Sequence, residues 1–341
     1  MINLIITQFF RRRHLTWAMS IVLVLLGAWS WTQMTVEAYP DLGDVTVQVT
    51  TQVNGLAAEE IEQQITTPLE RALNNTPGLA SIRSSSTFGL SLITMTFKGG
   101  TEDYFVRQRV TERIAQVSLP AGVQPGLDPV AGPAGEIFRY TLESDSKNLM
   151  ELSEIQRWKV IPALRQVAGV VDVTNFGGFT KEFQLELDPA RMQQHGLVLG
   201  DVVTAINNNS ANGGGGRIAR GEQSYIVRGI GMIHSLDDLG SVVVAQSNGS
   251  PVLVRDLGRL QYGHQERGGI LGKDLNPDTI EGIVLMLKYE NPSVVLEGVH
   301  KKVADLQKQL DPMDVKIVPY IDRDDLVKLT VEKVTRTVLE G

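Results

Sequence analysis

The sequence predicts an α+β chain in which an N-terminal transmembrane helix precedes two split βαβ units, the second interrupted by an inserted α+β domain. Three observations carry this: an uncharged stretch behind an arginine cluster, a recurring strand–helix–strand–strand–helix–strand pattern, and a jump in the spacing of that pattern.

The cationic start Arg11-Arg12-Arg13-His14 follows Phe9-Phe10 and leads into Leu15–Met34, about twenty residues without a charge. At ~1.5 Å per residue that length matches the ~30 Å hydrocarbon core of a bilayer. Polar or indole-bearing residues interrupt it (Thr16, Trp17, Ser20, Trp29, Ser30, Trp31, Thr32, Gln33), and Ile21–Leu26 at its centre is purely aliphatic. The reading is residues 1–14 cytoplasmic and 15–36 spanning. Arg11, Arg12 and Arg13 set the orientation, so the bulk of the chain lies beyond the membrane. A secretory signal peptide is the rival, but Thr35-Val36-Glu37-Ala38-Tyr39-Pro40 offers no clean cleavage site.

The first unit occupies residues 41–130. Val45–Val53 alternates as a strand does, and Asn54-Gly55 turns into Leu56–Asn74, where Ala57, Ile61, Ile65, Leu69 and Leu73 form a helical stripe. Leu79–Ser86 and Leu90–Phe97 read as paired strands turning at Phe88-Gly89. Thr101 is placed to cap a helix through Val117, and Pro120–Asp128 closes the unit. The order is ferredoxin-like.

The pattern recurs over residues 131–180 and 276–330. Ile137–Glu143 reads as a strand, Leu149–Val167 as a helix and Val170–Thr174 as a strand; Pro162-Ala163-Leu164-Arg165 answers Pro68-Leu69-Glu70-Arg71. Phe176-Gly177 answers Phe88-Gly89 at an offset of 88, whereas Lys288 answers Lys98 at an offset of 190. Roughly a hundred residues, about 181–275, are therefore inserted in the second copy. The insert opens with two short helices, Ala190–His195 and Val202–Asn208. Asn207–Gly216 follows, polar and ending in Gly213, Gly214, Gly215 and Gly216. That excursion reads either as an arm reaching a neighbour or as a disordered loop. Gln246-Ser247-Asn248-Gly249-Ser250 is a hairpin turn between Val242–Ala245 and Val252–Val254.

Composition removes several functions. The net charge is -7, with 32 Lys and Arg against 39 Asp and Glu and no Cys, so a basic nucleic-acid stripe, disulfides and thiolate metal sites are excluded. The five histidines (His14, His195, His234, His264, His300) have no zinc-type spacing, and the methionines past residue 34 are dispersed. Neither a catalytic constellation nor a G-x-S-x-G or phosphate-loop motif is present. No catalytic residue, metal ligand or cofactor is assigned.

Local motifs then narrow the reading. They are Ala38-Tyr39-Pro40-Asp41, Gly55-Leu56-Ala57-Ala58-Glu59-Glu60-Ile61-Glu62, Thr67-Pro68-Leu69-Glu70-Arg71-Ala72-Leu73 with Pro77-Gly78-Leu79, Arg83–Ser91, and Lys316-Ile317-Val318-Pro319-Tyr320 with Asp322-Arg323. With the duplicated and interrupted plan, they resemble the heavy-metal branch (CusA/CzcA type) of the resistance-nodulation-division (RND) efflux transporters. The resemblance implies porter subdomains PN1 (41–130) and PN2 (131–180 and 276–330), and a docking subdomain DN (181–275). Residues 331–341 would lead into a second membrane helix. It also implies a proton-driven metal-cation antiporter of the inner membrane, single-pass in this chain, with the bulk in the periplasm. Its expected partners are two further copies in a homotrimer, a periplasmic adaptor and an outer-membrane channel. The intersubunit arm would comprise Gly213, Gly214, Gly215, Gly216, Arg217 and Tyr225. Family members run to roughly a thousand residues, so the chain reads as an N-terminal part, inactive in transport by itself; a stand-alone tethered binding or assembly module is the alternative.

Overall fold

The structure is a computed structural model that describes residues 12–33, 43–53, 55–220, 223–229, 231–247 and 249–340. Helix α1 (Arg13–Gln33) occupies the stretch where a membrane span was expected. That expectation is corrected: among the described residues no helix is long and apolar enough to cross a membrane. The physical reason is composition. Bilayer crossing takes about 20 predominantly apolar residues, and here the aliphatic run is confined to Ile21–Leu26, with Thr16, Trp17, Ser20, Trp29 and Ser30 on either side. Single-pass placement in the inner membrane, with the bulk in the periplasm, is corrected on the same ground. Arg11 lies outside the described residues, Arg12 precedes α1, and Arg13 opens it.

Beyond α1 the chain is α+β. It divides into two compact units: one takes in the described residues up to Glu143 with Lys159–Asn175 and Glu281 onward, the other Ser144–Trp158 and Phe176–Ile280.

The first repeat is a four-stranded antiparallel sheet of order β2-β3-β1-β4. β1 (Thr46–Gln52) buries alternate residues Val47, Val49 and Thr51. It leads to helices α2 (Ala58–Ile61) and α3 (Thr67–Leu73), joined by a π-helical turn, Glu62–Thr66. That turn explains the stripe. Ile61, Ile65, Leu69 and Leu73 recur every four residues and would drift around an α-helix of ~3.6 residues per turn; one wider turn resets them onto a single line. All four are fully buried. The π turn also sits just before Pro68, which lacks an N–H and clashes with the carbonyl four residues back in a regular helix. β2 (Leu79–Thr87), β3 (Leu90–Phe97), α4 (Asp103–Ile114) and β4 (Gly126–Leu127) complete the repeat. Ile93, Met95, Phe97, Val106 and Val110 close its core. The hydroxyl of Thr66 lies 2.7 Å from that of Ser91 and 2.8 Å from that of Ser86, tying the π turn to the β2–β3 hairpin. Glu102 rather than Thr101 stands at the N-cap of α4, and the Thr101 hydroxyl donates to the Lys98 carbonyl instead of capping the helix.

The second repeat begins with β5 (Ala131–Glu143), α5 (Leu149–Ile155) and α6 (Ile161–Leu164). The two helices are joined by a second π turn, Gln156–Val160, again immediately before an X-Pro pair, Ile161-Pro162. β6 (Val170–Gly177) follows, and the chain leaves the repeat. In the second unit, β7 (Lys181–Leu187), α7 (Pro189–Gln194), α8 (Leu199–Asn209), β8 (Gly213–Arg220), β9 (Gln223–Gly229), α9 (Leu236–Gly240), β10 (Val243–Ser247), β11 (Ser250–Leu253), α10 (Val254–Leu257), β12 (Gly258–His264) and β13 (Leu271–Lys273) succeed one another. β7 pairs with β12, β10 with β11, and Val202, Val252 and Leu257 anchor a small core.

β14 (Asn276–Leu287) returns to the second repeat and pairs antiparallel with β5, Ile283 opposite Arg139. α11 (Pro292–Leu310) buries Val295, Leu296, Val299, Leu306 and Leu310. β15 (Lys316–Asp322) pairs with the other side of β5, and α12 (Arg323–Glu340) ends the described chain. The sheet carries one buried carboxylate, Glu281, whose side chain is 3% exposed. Arg139 donates to it at 3.2 Å, and so does the hydroxyl of Tyr320. Replacing Arg139 by Met leaves that carboxylate without its cation and is expected to destabilise the chain by about 2–3 kcal/mol. Urea denaturation checks this, and adding Glu281→Leu to Arg139→Met should recover most of the loss.

Candidate functional site

The residues expected to form an intersubunit arm all lie on one feature, the β8–β9 hairpin, and its base explains why it forms. α8 ends at Asn209, and three residues later the Asn212 side-chain oxygen accepts the N–H groups of Gly231 (3.1 Å) and Met232 (3.4 Å). One asparagine therefore holds the outgoing and returning chains together. A Cβ at position 231 would lie 2.5 Å from the Ala211 carbonyl oxygen, so glycine is required for this approach.

From that base the strands pair in antiparallel register, Gly213 opposite Gly229, Gly214 opposite Arg228, Arg217 opposite Ile226 and Ile218 opposite Tyr225. Between Gly214 and Arg217 the register shifts by one residue, a bulge in the glycine run. Gly213, Gly214, Gly215, Gly216 and Arg217 thus share one strand and Tyr225 lies on the other, one pair beyond Arg217. Residues 221 and 222, between the strands, lie outside the described residues. Among the described residues β8 and β9 pair only with each other. A lone two-stranded ribbon is marginal in water and gains stability by laying a face on another surface.

Sequence reasoning missed two buried polar clusters in the first unit. In one, Glu281 gathers Arg139 and Tyr320. Hydrogen bonding to Glu136 raises the Arg139 pKa against the opposing effect of burial, while burial first, and then the bond to Glu281, pushes the Tyr320 phenol up. In the other, Lys288 lies 3.0 Å from Asp103, with both side chains largely buried. The partners are 142 and 185 residues apart, and no local spacing signals them. Among the described residues no group of three or more His, Cys, Asp or Glu side chains could hold a metal ion. Two open clefts, of about 520 Å³ beside Phe105, Arg109 and Arg113 and about 250 Å³ between Lys159 and Lys302, offer no converging ligand set.

The sequence pattern of the AcrB/AcrD/AcrF family matches residues 5–341. The chain belongs to the AcrB/AcrD/AcrF family. Its similarity within that family is to the heavy-metal RND efflux transporters. The cation efflux system protein CzcA of Alcaligenes sp. (strain CT14) is 37% identical over 327 residues, covering 93% of this chain and 31% of that protein. Protein HelA of Legionella pneumophila is 35% identical across 100% of this chain and 33% of its own length. The cation efflux system protein CusA of Escherichia coli (strain K12) is 34% identical, again across 100% of this chain and 33% of that protein. A crystal structure of a heavy metal efflux pump (crystal form II) superimposes with a TM-score of 0.91 at 56% identity, over 98% of this chain and 34% of that one. The chain therefore spans about a third of the length of these AcrB/AcrD/AcrF family relatives. The family is one of secondary active transporters rather than enzymes.

Proposed function

We propose that this chain supplies the first porter and docking segment of a proton-driven heavy-metal cation efflux transporter and does not transport by itself. Residues 41–130 serve as PN1, residues 131–180 with 276–330 as PN2, and 181–275 as the docking subdomain. The complete transporter works as a homotrimer joined to an adaptor protein and an outer-membrane channel, with metal cations as substrate. The β8–β9 hairpin, carrying Gly213–Gly216, Arg217 and Tyr225, is the arm that engages the adjacent protomer.

The observation that carries this reading is the 56% identity and 0.91 TM-score shared with a heavy metal efflux pump over nearly the whole chain. The hairpin adds physical support, because a ribbon that pairs only with itself is stabilised by a second surface.

A chimaera tests the reading. Residues 1–341 are exchanged for the equivalent third of a family pump in a host lacking its own. Growth in zinc, cobalt or copper salts should return to at least half the parental tolerance, while the 341-residue chain alone gives none. A chimaera that assembles as a trimer yet confers no tolerance to any of these metals would count against the assignment.

A further inference from the structure

The turn leading from β14 into α11 is built differently from its counterpart in the first repeat. After β3, the N–H of Thr101 donates to the Lys98 carbonyl at 3.3 Å, and the left-handed position is taken by Gly100 (φ +82°), with open space around it. After β14, the N–H of Glu290 donates to the Leu287 carbonyl at 3.2 Å, and the left-handed position is taken by Tyr289 (φ +73°). Such a position favours Gly or Asn, and a bulky aromatic residue there is a backbone outlier. Outliers persist where the surroundings over-determine them.

Here both side chains of the turn reach one carboxylate of the first repeat. The Tyr289 hydroxyl donates to Asp103 Oδ2 at 3.1 Å, and Lys288 Nζ reaches the same oxygen at 3.0 Å. The Lys288 ammonium also lies 5.2 Å from the Tyr289 ring centre, so the two side chains brace each other. Asp103 is 8% exposed and the Lys288 side chain 10%. Asp103 stands in the first turn of α4, where the helix end favours a carboxylate, and Arg107 one turn along feels its charge. Charge-assisted bonds of this kind are roughly twice as strong as neutral ones.

We propose that Lys288 and Tyr289 form a clasp that holds the second repeat to the start of α4 in the first. Closed, both side chains sit on Asp103 and the turn is kept left-handed; open, the contacts are lost together and the Tyr289 backbone relaxes. The backbone strain favours opening and the two bonds oppose it, which makes this turn a two-state element rather than a rigid joint. The clasp stands on this geometry alone. Its use, setting how freely the two repeats shift during transport, rests on the porter reading.

Hydrogen exchange on the full chain tests it with Tyr289→Phe, which keeps the ring and removes the donor, and Asp103→Asn, which keeps the shape and removes the charge. Both should speed amide exchange about tenfold or more at residues 288–291 and in the first turn of α4, leaving β1 and β3 unchanged. Unchanged exchange at α4 in Tyr289→Phe, or an equal rise throughout the chain, would overturn the clasp. In the metal-tolerance chimaera, Tyr289→Phe should alter the efflux rate at least threefold with trimer assembly intact. An unaltered rate would overturn its use in transport, whereas an inactive parent chimaera would count against the porter reading and leave the exchange result standing.

Discussion

Excising Gly213–Gly229 from the complete transporter, with Asn212 joined to residue 230, is expected to abolish metal efflux and to convert trimer into monomer. The excision should leave the rest of the chain folded, because the hairpin pairs with no other strand among the described residues and the cores anchored by Val202 and Leu239 lie on other elements. Circular dichroism should therefore change little, while cross-linking or native mass measurement reports the lost assembly. A milder variant separates shape from mere presence. Replacing Gly215 and Gly216 by valine favours extended backbone but removes the freedom that the bulge between Gly214 and Arg217 uses. If the ribbon has to adapt to a neighbouring surface, that variant should also weaken the trimer. Trimeric, active protein after excision would remove the arm from the mechanism.

Gly169→Ala should be among the most destabilising single substitutions in the chain, at about 3 kcal/mol or more, whereas Gly78→Ala should cost about 1 kcal/mol. The two glycines occupy matching turns before β6 and β2 and share the left-handed conformation, at φ +84° and +80°. Their surroundings differ. A Cβ at 169 would lie 2.4 Å from a methyl of Val295, a buried residue of α11, while at 78 the nearest atoms are 3.5 Å away. The backbone penalty is common to both and the clash belongs to one. Denaturant titration of both variants measures the difference, and Gly169→Ala with Val295→Ala should recover part of it.

Much of the framework was legible because its signals are local. Val45–Val53 alternates and forms β1, the apolar stripe from Ile61 to Leu73 is the buried helical face, and the two runs read as hairpin partners, Val242–Ala245 and Val252–Val254, fall largely within the paired strands β10 and β11. Other features were set by partners distant in sequence. β5 starts at Ala131, well before the alternating stretch from Ile137, because β14 pairs with it as far as Ala131, opposite Leu287, and so takes Gly132, Pro133 and Gly135 into a strand they do not favour. The run Gly213–Gly216 reads as loop and forms a strand for the same reason, β9 supplying the order that glycine lacks. An uncharged stretch read as a membrane span proved too interrupted, since absence of charge is a weaker condition than apolarity. Asp103, legible as a favourable residue at a helix start, spends its carboxylate on Lys288 and Tyr289, which no spacing rule could have indicated.

The pairing of β7 with β12 has a consequence for how the chain reaches this fold. Lys181 lies opposite His264, and the N–H of Gln265 donates to the Thr180 carbonyl, so the insert brings its own two ends side by side. The second repeat cannot complete its sheet until β14 has been made, and in an unstructured chain that would mean closing a loop of roughly 100 residues. With the insert already folded, the flexible remainder is roughly 20 residues, and the logarithmic dependence of closure entropy on length lowers the cost by about 1.4 kcal/mol. The first repeat, whose sheet is closed by strands lying between residues 46 and 127, can form during synthesis, and the insert then acts as a clip that gathers the split halves of the second. The order of folding expected from the interruption is therefore first repeat, insert, second repeat.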